Sequence, residues 1–103
     1  MHIAYRVGMR HPLHQGSPGH VLLAALAPSP SEPEQVVIAR RKGYAISRGE
    51  LLPGATGVAA AIESPGHEPE ASVSAVWIEG IDPEAAAAAV MAAAREISSS
   101  LRR

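Results

Sequence analysis

Histidine is the first side chain to weigh for chemistry in this chain. His11, His14 and His20 fall close together, and His11 and His14 are three residues apart. Clustered histidines, often with a carboxylate, are how proteins hold zinc. Here Pro12 interrupts the pair, and no Asp or Glu occurs between Met1 and Glu32. The spacing matches no strong metal motif. These histidines therefore read as hydrogen-bonding pins for a loop, with His14 as a candidate to line a pocket. Neither a metal nor another cofactor is expected.

Nucleophilic catalysis finds no better footing. The chain has no cysteine, and Ser17 and Ser47 lie in turn-like stretches without a G-x-S-x-G elbow. The single Asp, Asp82, precedes Pro83-Glu84 and is needed as a helix cap. No nucleophile, base and acid can be assembled, so an enzyme is not expected. Gly16-Ser17-Pro18-Gly19 could hold a small anion on backbone N–H groups at a helix start. The favoured reading is an ordinary cap, with Ser17 at the cap and Pro18 at the first helical position. Trp77, the only Trp, is either core or the wall of a ligand site beside Glu79.

The whole chain sets limits on these readings. Its 103 residues make one domain, spanning 1–103, with a modest core. There is no Phe, and only 3% of residues are aromatic, so small side chains must bring backbones close together. A net charge of −1 gives no field to draw in nucleic acid, and direct DNA binding by this chain alone is not expected. The run Arg40-Arg41-Lys42 reads as helix-end chemistry, because cations complement the negative end of a helix dipole. The longest apolar run, Ala85 to Ala94, is too short and too Ala-rich to span a membrane. No signal peptide is visible, and the lack of cysteine fits a reducing cytosol, so a cytoplasmic location is expected.

The elements that would position a site follow in order. Residues 2–7 alternate loosely and suit a strand. A helix is expected from Ser17 to Leu26, ended by Pro28 and Pro30. A second helix follows Ser31, with Ser31 and Glu34 spaced as a capping box, and runs to about Lys42 before Gly43. Strand, polar turn and strand are expected over residues 44–62. Pro65-Gly66 suits a type II turn, and a strand follows over 70–79. Asp82-Pro83-Glu84 starts a final helix reaching Leu101. The fold class is α+β: an antiparallel sheet of about four strands with helices packed on it.

Alternation along the strands suggests a small-sided face carrying Gly57, Ala59 and Ala61, with Ala71, Val73, Ala75, Trp77 and Glu79. Val58, Ile62, Val76 and Ile78 would form a bulky opposite face. A small-sided face either leaves room for a ligand or lets an Ala-rich helix approach closely.

Several segments resemble one family in the right order. YRVGMRHPLHQGSPGHVLLAAL (residues 5–26), RKGYAISRGELLPGATGVAAAI (41–62), ASVSAVWIEG (71–80) and AAREISSSLRR (93–103) are similar to the C-terminal part of the effector-binding domain of IclR-type bacterial transcriptional regulators. The family's winged helix-turn-helix and the opening of its effector domain have no counterpart here. The resemblance implies a GAF-like fold and binding of small organic metabolites. It places pocket positions at Ser17 and Pro18, at Ser47 and Gly57, and at Trp77 and Glu79. His14 and Glu50 add polar groups from the two flanking loops. The expected function is a non-catalytic metabolite sensor, with a dimerisation module that has lost its ligand as the alternative. The expected partners are a small organic effector and, for an exposed sheet edge, another copy of the chain.

Overall fold

A computed structural model describes residues 7–50 and 52–102. The strand expected over residues 2–7 lies outside the described residues except for Val7, which is in a turn. Among the described residues there are three helices and three strands: α1 (Ser17–Ala24), α2 (Glu34–Lys42), β1 (Ala45–Arg48), β2 (Thr56–Ser64), β3 (His67–Trp77) and α3 (Pro83–Leu101). The strands form an antiparallel meander in the order β1-β2-β3.

Local chemistry explains most of the boundaries. Gly43 takes the left-handed conformation that closes α2, with φ at 87°; a residue with a Cβ is disfavoured there. Arg40, Arg41 and Lys42 occupy that helix's last turn. Asp82 caps α3, and its carboxylate accepts the backbone N–H of Glu84. Two expected caps are not found. Gly16, not Ser17, is the cap of α1, and Ser17 stands inside the helix with its side chain buried. Pro33, not Ser31, precedes α2, with no side-chain cap. The nearby acid is used differently. Glu32 accepts two hydrogen bonds from the Arg40 guanidinium, at 2.7 and 2.9 Å. Arg40 also donates to the carbonyls of Ala24, the last residue of α1, and Leu26 just beyond it. One guanidinium thus joins the two helices.

The sheet is covered on both faces. On one, Val58, Ala60 and Trp77 pack against Ala87, Val90 and Ala94 of α3. On the other, Ala45 and Ala59 pack against Val21 of α1 and Ala39 of α2. The second layer consists largely of alanines, so the helices lie close to the strands.

Register decides which residues share a face. Gly57 pairs with Ser47 on β1 and with Val76 on β3; Val58 pairs with Ala75 and Thr56 with Trp77. The expected grouping is therefore corrected. Gly57, Ala59 and Ala61 share their face with Val76, Ser74 and Ser72, whereas Trp77, Ala75 and Val73 lie on the α3 face with Val58 and Ala60. Neighbouring residues on paired strands point the same way, so the pairing alone fixes this.

Candidate functional site

A cavity of about 290 Å³ opens where the start of α1, the loop between β1 and β2, and the α1-side face of the sheet meet. Gly57 forms part of its floor. A Cβ there would stand 3.2 Å from Ser17 Oγ and 3.2 Å from Ser47 Oγ. Two hydroxyls from different elements thus converge on the space that the missing side chain leaves free. Val76 and Ser74 of β3 add to the same wall, and Pro18, Leu52 and Ala55 complete an apolar surround.

Ser17 is 1% exposed, and among the described residues its Oγ has no hydrogen-bond partner. A buried hydroxyl left unpaired costs about 1–3 kcal/mol. Its neighbour one turn on, His20, is also 1% exposed. His20 Nε2 donates to the His14 carbonyl at 2.9 Å, which leaves His20 Nδ1 without a partner. Ser17 Oγ and His20 Nδ1 therefore do not bond each other, and no nucleophile–base pair forms.

Glu50 supplies the charge at this site. Its Oε1 accepts the backbone N–H of Gly16 at 3.2 Å and lies 3.6 Å from His20 Nε2. The second separation exceeds a hydrogen bond. The carboxylate thus occupies the positive end of α1 and ties the β1–β2 loop to the helix. Gly19 keeps the preceding loop against the helix: a Cβ on it would come within 2.2 Å of the Leu13 carbonyl oxygen.

The structure brings together Ser17, Pro18, Ser47, Glu50 and Gly57 among the residues singled out from sequence. It separates the other three. Trp77 is 8% exposed and belongs to the core under α3; it cannot wall a cavity on the opposite face of the sheet. Glu79 is exposed beyond the end of β3, which stops at Trp77. His14 is exposed and takes part through its carbonyl, as the acceptor for His20. Leu52, Ala55, Ser74 and Val76 line the cavity without having been singled out. For Ser74 and Val76 the signal was the parity of the β2–β3 pairing. His11, which invited a metal reading, also lines the cavity. Among the described residues, no group of three or more His, Asp or Glu side chains could hold a metal ion.

A larger cavity of about 380 Å³ runs between β2 and the second half of α3. Key polar groups there already have partners. Ser98 Oγ donates to the Ala94 carbonyl and accepts the Glu63 N–H, and Arg102 lies 3.7 Å from Glu63. The smaller cavity is the one with an unsatisfied buried group.

No protein-family model and no curated protein matches the chain. Solved structures do. An IclR homolog from Microbacterium hydrocarbonoxydans, complexed with 4-hydroxybenzoate, is 28% identical with a TM-score of 0.82 over 99% of this chain and 51% of its own. An IclR transcriptional regulator from Alicyclobacillus acidocaldarius is 26% identical, with a TM-score of 0.77 over 96% of this chain and 50% of its own. The inducer-binding domain of the PobR transcription factor from Acinetobacter, in complex with 3-hydroxybenzoic acid, shares the fold at 20% identity. Its TM-score is 0.68, over 90% of this chain and 66% of its own. The chain thus spans about half the length of the full regulators it matches. Its fold is that of the effector-binding domain of IclR-type transcriptional regulators.

Proposed function

We propose that this chain is the small-molecule-sensing domain of an IclR-type transcriptional regulator, with its effector held in the cavity over Gly57. One observation carries the reading: the buried, unpartnered Ser17 hydroxyl in the cavity wall. A ligand that pairs with it recovers the cost of leaving it unpaired. The surround is mostly apolar with a few convergent polar groups, as ligand sites are. The related structures with 4-hydroxybenzoate and 3-hydroxybenzoic acid support a small organic effector. The domain is non-catalytic, acts in the cytoplasm, and leaves DNA contact to other parts of a regulator. Among the described residues, no helix is long and apolar enough to cross a membrane.

Thermal-shift screening against a panel of small metabolites tests this reading. A ligand of the native state raises the melting temperature by mass action. A panel of aromatic and aliphatic metabolites at millimolar concentration that leaves the melting temperature unchanged would count against it.

A second reading, a dimerisation module, draws on the sheet edges. Among the described residues, β1 and β3 each have a neighbour on one side only. Open edges invite pairing with another chain. The thermal-shift screen distinguishes the two, because a sensor responds to ligand whatever its association state.

A further inference from the structure

Resting on the sensing reading, we propose that a small carboxylate enters this cavity together with a proton, and that His20 takes up the proton. Among the described residues, two buried side-chain atoms one turn apart on α1 lack partners, Ser17 Oγ and His20 Nδ1. The His20 ring is 1% exposed. Its Nε2 faces two acceptors, the His14 carbonyl at 2.9 Å and Glu50 Oε1 at 3.6 Å. A carbonyl only accepts, so Nε2 carries the hydrogen, and Nδ1 of the neutral ring is the position with room for a second one.

One event answers both unpaired atoms. Residues three apart on a helix are neighbours. With a proton on Nδ1, His20 can donate to Ser17 Oγ, and Ser17 can turn its own hydrogen to a ligand oxygen. Ser47 Oγ faces the same space over Gly57 and can donate to a second ligand oxygen. A carboxylate accepts both at once, and here it would lie at the positive end of α1.

Charge balance calls for the same proton. Glu50 places a carboxylate on the cavity lining, and among the described residues no Lys or Arg lines it. Two carboxylates sharing a site oppose each other unless a positive charge joins them. An imidazolium at His20 would stand beside Glu50 and supply that charge. His11 is the other ionisable group on the lining. It is exposed, and its Nδ1 is engaged with the Pro12 carbonyl at 3.1 Å, so solvent would screen its charge. His14 meets His20 through its carbonyl and leaves its side chain exposed. No other side chain of α1 titrates, and Arg40 of α2 meets the opposite end of α1, at Ala24. The sheet residues of the lining, among them Ser47, Ser74 and Val76, carry no charge.

Benzoate and 4-hydroxybenzoate serve as probes. Each is titrated calorimetrically into the wild-type chain at about pH 7.5, where histidine charge is readily switched. Two buffers that differ in heat of ionisation count the protons taken up. About one proton per bound ligand is expected, with affinity falling toward tenfold per unit as pH rises from about 7 to 8, because the complex binds the extra proton. Nitrogen spectra of the histidine rings should show His20 with one ring hydrogen in the free chain and two in the complex. His20→Gln is expected to abolish the proton uptake and to weaken both probes by about tenfold or more. Binding without proton uptake by the wild type overturns the proposal. Uptake that leaves the His20 ring unchanged, or that persists in His20→Gln, puts the proton on His11 or Glu50 and overturns it too. Binding of neither probe overturns the carboxylate-with-proton claim, while the wider metabolite screen still judges the sensing reading. If His20→Gln fails to fold, the ring spectra of the wild type decide.

Discussion

The Ser17 hydroxyl stands over Gly57 at a distance that a Cβ on Gly57 would crowd. A Cβ on Gly57 would lie 3.2 Å from Ser17 Oγ, and equally close to Ser47 Oγ. This pairing joins the helix start to the middle strand and makes the cavity floor bare backbone. Gly57 can therefore be filled with little effect on the rest of the fold. Gly57→Ala is expected to abolish the thermal shift produced by any effector found in screening. The free protein should change by no more than about 1 kcal/mol, since alanine suits a strand better than glycine while the two hydroxyls must give way slightly. Parallel melting curves with and without ligand check both parts.

Trp77 supplies a second expectation, and here the structure reverses the sequence reading. The indole packs with Val58, Ala60 and three residues of α3. Trp77→Ala should destabilise the chain by about 3–5 kcal/mol, as large-to-small core changes do. Urea denaturation measures this. Trp77 fluorescence should also stay nearly unchanged on effector binding, because the cavity lies across the sheet.

The reversal has a specific cause that the sequence contained. Ser64 pairs with His67 across a two-residue turn. Such a turn makes the numbers of paired residues add to an odd total, and the register shift between Ile62 and Ser64 leaves that total odd, so odd positions of β2 share a face with even positions of β3. The expected grouping joined odd with odd and placed Trp77 over Gly57. With the parity right, Val76 and Ser74 move to the cavity and Trp77 to the core. A register slip by one residue flips every side chain in this way. Other features were plain in sequence: the Gly43 and Asp82 helix ends and the three-strand meander; Ser17, Ser47 and Gly57 were placed together only through the family resemblance. The Arg40–Glu32 pair was not, because a capping box at Ser31 competed for the same acidic stretch. Nothing in local sequence told that the guanidinium would reach the carbonyls of Ala24 and Leu26.

That pair yields an expectation for pH. Hydrogen bonding from Arg40 holds the Glu32 carboxyl below its ordinary value of 4.5. A carboxyl depressed in the folded state contributes stability above its unfolded value and loses it as pH falls through the folded one. Wild-type melting temperature should therefore drop as pH falls below about 4.5. Arg40→Ala should lower the melting temperature at neutral pH and show a shallower acid decline. Melting curves from pH 7 to pH 3 compare the two slopes.

A sensing role for this domain turns on where a ligand sits. With an effector from the screen and an isotopically labelled chain, amide chemical-shift mapping tests this directly. The largest changes are expected at Ser17, Ser47, Glu50 and Gly57, with Arg95, Ser98 and Arg102 little affected. Changes centred instead on those three residues, in the groove between β2 and α3, would contradict it.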